Sequence, residues 1–478
     1  MFVGRTRELA ALTAQLDVVR AGQRADRGVA VLVRGRRRIG KSRLAEEFVR
    51  RTGVPAVHFQ AAKGAPPAAE LAELVRAIST STLPDAALAA GQTPTTLTAA
   101  LALLHAALPD DTPAVVVIDE APWLLAGIAG GAGELQRVWD ARLSRKPVLL
   151  LLVGSDLAMM EELTAPDQPF HGRATEMVID ALTPADVAGM TGTPDTEAGA
   201  MDAFDAYLVT GGQPLVAQEW AHGMDMREFL EQSFASSTSA LVVSGTRVLD
   251  GEFPEASLAR QVLTAIGGAG ERTFTGIQRS SAEALNASTL TAALRTLATK
   301  RVVAADEPLS TRAAAKDKRW RVADPALRFW LAFVEPAMAE VDRGRPDLAL
   351  ARVDAGYASW RGRAIEPVVR ASLERLLPDE QWPSVARVGG WWPRSNTPEL
   401  DLVGADRSPA RQIGFVGTIK WRPTPLTGRE AQALAADAVH VPGATAGTPL
   451  VAVCPGGAAQ GVTVQHVWTA TDLLAAWP

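Results

Sequence analysis

The chain has 478 residues, of which 47% are hydrophobic and 21% are charged, and its formal net charge is −5. This composition is typical of a globular protein and excludes a polycation, while the length predicts about three domains. Cys454 is the only cysteine, so no internal disulfide can form, and the longest strongly apolar run, residues 147–153, is too short to span a bilayer. Because residues 1–5 also lack the build of a signal peptide, we expect a cytoplasmic protein with no membrane partner.

The first part of the chain alternates between apolar runs and amphipathic stretches. Strands are predicted at residues 29–34, 55–59, 114–119, 147–153 and 176–181. Helices are predicted between them, including an Ala-rich stretch at 85–107 that carries Leu at helical spacing. This alternation indicates an α/β domain with a parallel sheet over residues 1–183. A mostly helical segment follows at residues 184–250, interrupted at 210–214.

The rest of the chain predicts two further domains. In residues 251–335, helices are predicted at 258–266, 276–281 and 287–300, and strands at 301–305 and 320–322. This order of elements is typical of a winged helix. Residues 336–347 are predicted to link it to a last domain, residues 348–478. That domain is predicted to contain a helix at 360–377 and strands at 385–392, 399–403 and 413–420.

The segment from Gly35 to Ser42 fits the phosphate-binding pattern G-x-x-x-x-G-K-[ST] at every fixed position. A predicted strand precedes it and a predicted helix follows, so backbone N–H groups and a helix N-terminus would surround a phosphate. In this pattern Lys41 reaches the outer phosphates and the Ser42 hydroxyl binds Mg²⁺. The predicted nucleotide-binding residues are Gly35, Arg36, Arg37, Arg38, Ile39, Gly40, Lys41, Ser42 and Arg43.

A second motif completes this site. An apolar run at residues 115–118 ends in two acids, Asp119 and Glu120. Asp119 is predicted to complete the Mg²⁺ shell with Ser42, and Glu120 to orient and polarise the attacking water. Residues 1–50 contain 12 Lys or Arg against 5 Asp or Glu, and such a cluster serves a triphosphate as readily as a nucleic acid. The sequence therefore predicts a site for a nucleoside triphosphate.

These residues resemble AAA+ ATPases of the archaeal type. The opening segment Phe2-Val3-Gly4-Arg5, with Glu8-Leu9, resembles the box that flanks the nucleotide in that family, and the two motifs above stand in the family's order. Residues 153–156 resemble its sensor 1 segment, which implies that Ser155 or Asp156 contacts the γ-phosphate or the water. Gly172-Arg173 resembles a family Gly-Arg pair, which implies that Arg173 meets the triphosphate in cis or from a neighbouring copy. A surface arginine is the alternative.

The C-terminal third resembles the domain of unknown function that follows such ATPases in many archaeal and bacterial proteins. The segments that carry this resemblance are residues 319–330, 362–366, 389–392, 399–401 and 419–421. Taken together, the resemblances imply an α/β chain with a P-loop AAA+ parallel sheet and a helical lid at 184–250. A winged helix and an α/β nuclease-like domain are implied to follow.

The last domain resembles a PD-(D/E)xK nuclease, in which two carboxylates hold Mg²⁺ beside a lysine. Asp401 matches the first acid, Lys420 the lysine, and Glu366 a helix glutamate often found nearby. Thr418 stands where the pattern has Glu, and Glu399 or Glu366 would have to compensate. Because hard cations prefer charged oxygen ligands, the resemblance implies a degenerate domain kept for binding or assembly rather than for cleavage.

The predicted winged helix has a polar third helix that suits a DNA major groove. Its polar residues are Thr289, Thr291, Arg295, Thr299 and Lys300, and the basic residues predicted on the wing are Lys316, Lys318 and Arg319. Winged helices in AAA+ proteins also pack against other proteins. Double-stranded DNA and a protein are therefore alternative partners of this domain.

Three functions remain open for the whole chain. The first is a Mg²⁺-dependent ATPase that acts on or with DNA, with Glu120, Lys41, Arg173 and Ser155 as catalytic residues. The second is an ATP-dependent switch or signalling scaffold with slow turnover, whose partner is another protein or a second copy of the chain. The third is a metal-dependent nuclease gated by ATP. ATP rather than GTP is implied by the family resemblance alone.

Overall fold

The computed structural model describes residues 2–22, 27–168, 170–252, 257–281, 285–313 and 317–477. The chain divides into two compact units, residues 1–181 and residues 182–478. Within the described residues, no helix combines the length and the apolar character needed to cross a bilayer.

The first unit is built on a five-stranded parallel sheet. Its strands are β1 Val29–Arg34, β2 Ala56–Gln60, β3 Ala114–Asp119, β4 Val148–Gly154 and β5 Ala174–Val178. They lie in the order β2-β3-β4-β1-β5. Four of the five predicted strands agree with these bounds to within one residue, and only the fifth lies two to three residues earlier than predicted. The parallel sheet predicted from the sequence is therefore confirmed.

Helices cover both faces of this sheet. They are α1 Thr6–Ala21, α2 Lys41–Thr52, α3 Pro67–Ser79, α4 Leu97–Ala107, α5 Ala121–Gly127, α6 Gly131–Ala141 and α7 Leu157–Thr164. Short 3₁₀ turns lie at Ala86–Ala89 and Leu143–Arg145. Side chains of β3 alternate between two hydrophobic cores: Val116 and Ile118 lie in one, Val115 and Val117 in the other. Burial on both faces explains why the central strands appear in the sequence as continuous apolar runs.

The second unit begins with helices only. They are α8 Pro184–Thr191, α9 Glu197–Thr210, α10 Pro214–Glu219, α11 Met226–Phe234 and α12 Ala240–Glu252. A group of three helices and three short strands follows, with the bounds α13 Ser257–Ile266, β6 Arg272–Thr273, α14 Phe274–Ser280, α15 Ala287–Thr299, β7 Val303–Asp306 and β8 Arg319–Val322. The strands form an antiparallel sheet in the order β6-β8-β7. The three helices and the strands β7 and β8 follow the order predicted from the sequence, whereas β6 was not predicted.

The last part of the second unit is a mixed sheet and its helices. Helices α16 Pro325–Phe329, α17 Met338–Asp342 and α18 Pro346–Leu376 lead into it, with a π turn at Trp330–Val334 and a 3₁₀ turn at Glu335–Ala337. The remaining elements are β9 Arg387–Trp391, β10 Leu400–Ala405, β11 Ile413–Ile419, α19 Gly428–Ala438, β12 Leu450–Val453, β13 His466–Trp468 and α20 Ala470–Leu474. The strand order is β13-β12-β11-β10-β9, antiparallel from β9 to β11 and parallel from β11 to β13.

Residues 336–347, predicted as a link between domains, are mostly helical. Ala337 and Val341 from this segment are buried in a core that runs from Leu182 to Trp477. The helix predicted at 360–377 is the C-terminal half of α18, which begins earlier because apolar residues at helical spacing, such as Val353 and Tyr357, extend its buried face.

Candidate active site

The predicted phosphate-binding loop connects β1 to α2. Arg38 and Gly40 both adopt left-handed backbone conformations, with φ of 64° and 93°. The N–H of Leu44 donates to the carbonyl of Gly40 at 2.9 Å, which starts the helix directly after the loop. Only glycine fits at position 35 without a clash, because a Cβ on Gly35 would lie 2.5 Å from the carbonyl oxygen of Ile179. The loop therefore has the tight turn and the helix N-terminus that its sequence pattern predicts.

Lys41 points into the loop. Its side chain is buried, and its ammonium group donates to the carbonyl oxygens of Gly35 at 2.8 Å and Arg36 at 2.9 Å. Both acceptors are backbone atoms of the loop itself. The ammonium thus lies among the backbone groups that would surround a phosphate, as the motif predicts.

The other side chains of the loop take different positions. Ile39 is buried in the core beside α1 and α2, whereas Arg37 and Arg38 are exposed. Ser42 lies in the first turn of α2 and is partly exposed. Arg43 is exposed and donates to the carboxylate of Glu46 at 3.2 Å. The loop therefore offers mainly backbone N–H groups, Lys41 and Ser42 to a ligand.

Arg5 supports the loop from the N-terminal segment. Its guanidinium donates to the carbonyl oxygen of Ile39 at 2.8 Å and to the carboxylate of Glu8 at 2.9 Å. Arg5 itself is buried and has a left-handed backbone, with φ of 62°. The opening box was noted in the sequence only by family resemblance. The contact with Ile39 was missed, and the family match of Arg5 and Glu8 was the only clue to it.

The acidic pair lies at the end of β3. Asp119 is buried, and one of its carboxylate oxygens accepts the N–H of Glu120 at 2.9 Å. Glu120 has a left-handed backbone, with φ of 51°, and begins α5. Because β1 and β3 are parallel and both flank β4, the loop and the acids lie at the same edge of the sheet.

Ser155, at the end of β4, contacts Glu120 directly. Its buried hydroxyl donates to one carboxylate oxygen of Glu120, and its N–H lies 3.4 Å from the other. Asp156, the alternative sensor residue, instead accepts the N–H of Met159 at 3.1 Å and caps α7. Of the two predicted sensor residues, the structure brings Ser155 to the acidic pair.

Arg173 lies at the other end of the sheet. Its guanidinium forms a two-pronged ion pair with Asp140, with contacts of 2.8 and 2.9 Å, and this pairing raises the pKa of Arg173. Arg173 precedes Ala174, which pairs with Ala30 near the start of β1, whereas the phosphate-binding loop follows the end of β1. The strand between them spans roughly 13 Å. The prediction that Arg173 meets the triphosphate in cis is therefore wrong, and contact from a neighbouring copy stays a prediction.

Two of the predicted nuclease residues, Asp401 and Glu366, accept hydrogen bonds from other groups of the protein. One carboxylate oxygen of Asp401 accepts the Thr418 hydroxyl and the N–H of Ile419, both at 2.8 Å. Glu366 accepts a hydrogen bond from Arg370 at 3.0 Å, and Arg370 also donates to the carbonyl of Asp401 at 3.0 Å. The carboxylates of Asp401 and Glu366 therefore both have protein hydrogen-bond donors. The spacing of four residues between Glu366 and Arg370 on one helix was a clue that the sequence analysis did not use.

The remaining nuclease candidates are Glu399 and Lys420. Glu399 accepts a hydrogen bond from Arg319 at 2.5 Å, and Lys420 is partly exposed at the end of β11. Burial raises the pKa of Glu366 to about 7, so its carboxyl is a weak ligand at neutral pH. In the parts of the chain that the structure describes, no group of three His, Cys, Asp or Glu residues is arranged to hold a metal ion.

The predicted DNA-contact residues divide into two groups. Thr291, Arg295 and Thr299 are exposed along α15. On the predicted wing, Lys318 pairs with Glu307 at 2.7 Å, and Lys316 lies outside the described residues. Arg319, also predicted on the wing, is buried over the ring of Trp392 at 4.2 Å. The prediction that Arg319 contacts DNA is therefore wrong.

Two segments of the chain are similar to known protein families. Residues 1–127 match the AAA ATPase domain family, and residues 330–434 match a family of archaeal and bacterial proteins of unknown function. An uncharacterized protein of Methanocaldococcus jannaschii is 23% identical over 425 residues, which make up 88% of each chain.

Two solved structures are also similar. A Walker-type ATPase of Pyrococcus abyssi shares 19% identity with a TM-score of 0.47, over 69% of this chain and 96% of that one. The ORC2 protein of Aeropyrum pernix shares 17% identity with a TM-score of 0.44, over 74% of this chain and 96% of that one. The segment that is similar to the AAA ATPase domain family, residues 1–127, contains the loop and the Asp119–Glu120 pair.

Proposed function

We propose that residues 1–181 bind ATP with Mg²⁺ and hydrolyse it. The observation that carries this proposal is the position of the phosphate-binding loop and the acidic pair at one edge of a parallel sheet. That edge, beyond the carboxyl ends of the strands, is where α/β sheets bind ligands. Lys41 supplies positive charge there, and Asp119 and Glu120 supply two carboxylates.

The loop binds the triphosphate through its backbone. Its N–H groups and the N-terminus of α2 surround the phosphate. When the triphosphate binds, the ammonium group of Lys41 gives up its hydrogen bonds to the carbonyls of Gly35 and Arg36 and donates to the outer phosphate oxygens instead. Ser42 and Asp119 would hold Mg²⁺, because hydroxyl and carboxylate oxygens are the ligands that this cation prefers. When bound, Mg²⁺ neutralises charge on the phosphate oxygens.

Glu120 orients the attacking water and accepts its proton. Ser155 positions Glu120 by donating its hydroxyl hydrogen to the carboxylate. The hydrogen bond restricts the rotamers of Glu120, so less conformational entropy is lost when the water is aligned. Ser155 is therefore a positioning residue in this proposal, although it was predicted from the sequence as a contact of the phosphate or the water.

Binding of a fluorescent ATP analogue tests the first step. We expect Mg²⁺-dependent binding to the wild-type chain and its loss in Lys41→Ala. Arg50→Ala is the matched control, since Arg50 is an exposed cation on the same helix, 70% accessible. Equal affinity of Lys41→Ala and wild type would remove the loop from the proposed site. Displacement by unlabelled ATP and GTP then distinguishes the two bases.

We extend the proposal to a neighbouring copy of the chain through Arg173. Its position at the far end of β5 excludes a cis contact, but a side chain that is 31% accessible can reach the site of another copy. Mixing Lys41→Ala with Arg173→Ala tests this role, because each variant supplies the residue that the other lacks. Partial recovery of ATP hydrolysis is the expected result. If the mixture is no more active than the sum of its components, Arg173 has no role in trans.

A second proposed function is association with DNA. The observation that favours it is the exposed polar face of α15, which carries Arg295 between Thr291 and Thr299. We expect double-stranded DNA to stimulate ATP hydrolysis, less at high salt, and Arg295→Ala to weaken this effect. An ATP-dependent change in oligomer size without any DNA effect would instead favour the switch or scaffold.

Nuclease activity is not part of the proposal. Thr418 stands where the nuclease pattern has a carboxylate, and its hydroxyl donates to the carboxylate of Asp401. The guanidinium of Arg370 donates to the carboxylate of Glu366. Supercoiled DNA incubated with the protein, Mg²⁺ or Mn²⁺, and ATP should remain intact. Cleavage that is lost in Asp401→Asn would overturn this conclusion.

A further inference from the structure

The second unit contains a cavity whose described walls are positively charged. Its volume is about 170 Å³, and it lies between α9, β8, α16 and α18. Two arginines, Arg321 and Arg328, line it, and no carboxylate is among its described lining residues. A cavity with two cations and no acid among its described lining residues is electrostatically suited to an anion.

Arg328 lacks a partner for one of its nitrogens. Only 3% of Arg328 is exposed to solvent. Its Nε donates to the carbonyl of Gly268 at 3.2 Å. Its Nη2 is buried and makes no hydrogen bond. Burial lowers the pKa of Arg328 to about 10, so the group stays charged at neutral pH. A buried, charged nitrogen without an acceptor is costly, and an anion in the cavity would offset that cost.

The positive charge of the second arginine, Arg321, is partly balanced by an ion pair with Asp306. Arg321 donates from Nε to the carboxylate of Asp306 at 2.7 Å, and Asp306 is not among the described lining residues of the smaller cavity. Asp306 belongs to the lining of an adjoining cavity of about 410 Å³. The two cavities share Arg321, Pro367 and Ala371, so the larger one offers a route toward the smaller. Its own lining mixes arginines with carboxylates, which makes the smaller cavity the more selective for negative charge.

Apolar and aromatic side chains form the rest of the smaller cavity. Trp360 and Trp477 present their rings, and both indole N–H groups already have acceptors, the carbonyl of Gly268 and the hydroxyl of Ser372, each at 2.8 Å. Leu208 adds an aliphatic wall. Arg375 lies over the Trp477 ring at 3.7 Å, and Trp360 packs edge-on against Phe329. The parts of the two indoles that line the cavity offer apolar contact, which bare inorganic phosphate could not use.

We propose that this cavity binds a small organic anion, with one carboxylate or phosphate group at Arg328 and Arg321 and an apolar or aromatic body against Trp360, Trp477 and Leu208. The site lies entirely within residues 182–478 and is separate from the proposed ATPase site. Failure of one proposal therefore leaves the other standing.

Isothermal titration calorimetry of the full chain tests this site with three probes: benzoate, phenyl phosphate and the uncharged benzamide. We expect at least one of the two anions to bind saturably below about 10 mM, and at least tenfold more tightly than benzamide. Which anion binds better identifies the preferred oxyanion. Arg328→Met should weaken the binding of that anion at least tenfold, because a charge-assisted hydrogen bond is lost.

Two further variants keep the test decisive. Ala364→Leu fills part of the cavity while it leaves both arginines in place, and it should also weaken anion binding. Arg387→Met removes an exposed arginine that lines only the larger cavity, and it should leave the affinity unchanged. The proposal is overturned if neither anion binds, if benzamide binds as well as the anions, or if Arg328→Met and Ala364→Leu, shown by circular dichroism to be folded, bind like wild type. Equal loss of affinity in Arg387→Met would also overturn it.

Discussion

The hydroxyl of Ser155 donates a hydrogen bond to the carboxylate of Glu120, across the ends of two neighbouring strands. Both residues lie at the edge of the sheet that also carries the phosphate-binding loop. Glu120 has a left-handed backbone, with φ of 51°, and its side chain contacts Ser155 at the end of β4. The proposed general base is thus held in place by a neighbour 35 residues away in sequence.

Ser155→Ala should slow ATP hydrolysis without preventing ATP binding. Loss of a hydrogen bond to a charged group is worth about 1.5–3 kcal/mol, so kcat should fall by roughly 10- to 100-fold. Ser155→Thr keeps the hydroxyl and should retain most of the activity. In a Glu120→Gln background, Ser155→Ala should have little further effect, since its partner is already inactive. Equal effects of Ser155→Ala in both backgrounds would mean that it does not act through Glu120.

Gly35→Ala should destabilise the first unit through a steric clash. The added Cβ would lie 2.5 Å from the backbone oxygen of Ile179, which is itself held because the Ile179 N–H donates to the carbonyl of Arg34 at 2.7 Å. We expect a loss of about 2 kcal/mol in the free energy of unfolding, measured by urea denaturation, together with weaker ATP binding. Gly127→Ala is the control, because a Cβ there meets nothing within 4 Å. Equal stability of the two variants would contradict the close packing at Gly35.

Asp205 should make the stability of the second unit depend on pH. Burial raises the pKa of its carboxyl to about 6, although Arg361 opposes this shift with a hydrogen bond of 2.9 Å. Because the folded protein then holds this proton more tightly than the unfolded chain, the Asp205 contribution to the free energy of unfolding falls as pH rises from about 4 to about 6. The rise in the pKa of Asp205 from 3.8 to about 6 corresponds to a change of about 3 kcal/mol in the free energy of unfolding.

Comparison of Asp205→Asn with wild type isolates this effect. Asn cannot titrate, so the variant should gain stability relative to wild type across that pH window, even if the loss of the ion pair with Arg361 destabilises it at every pH. Urea denaturation followed by tryptophan fluorescence measures the difference at pH 4.5 and pH 6.5. Asp354→Asn, at an exposed carboxylate, controls for the loss of one acid. A difference that stays constant between the two pH values would contradict the raised pKa.

The sequence predicted the parallel sheet well because local patterns determine it. Strands buried on both faces, such as β3 and β4, appear as unbroken apolar runs that end at polar residues. The phosphate-binding loop is a contiguous motif, so its position between β1 and α2 followed directly. The long helix α18 was predicted only in its C-terminal half, although buried residues such as Val353 and Tyr357 continue the same face through its first half.

The pairings of charged side chains could not be predicted in the same way. Arg319 appeared as a wing residue that would contact DNA, but it is buried against Glu399, 80 residues away in sequence. Arg173 pairs with Asp140, 33 residues away, at the end of the sheet opposite the loop. Such contacts depend on which strand ends and helices the fold brings together, and no local pattern encodes them.

Steady-state ATP hydrolysis by wild type and Glu120→Gln, with Mg²⁺ and with EDTA, tests the proposed function most directly. Wild type should hydrolyse ATP only with Mg²⁺. Glu120→Gln should bind the fluorescent ATP analogue like wild type but turn over at least about 100-fold more slowly, because it cannot accept the proton of the water. Near-normal hydrolysis by Glu120→Gln, or hydrolysis by wild type that persists in EDTA, would contradict the proposed roles of the Asp119–Glu120 pair.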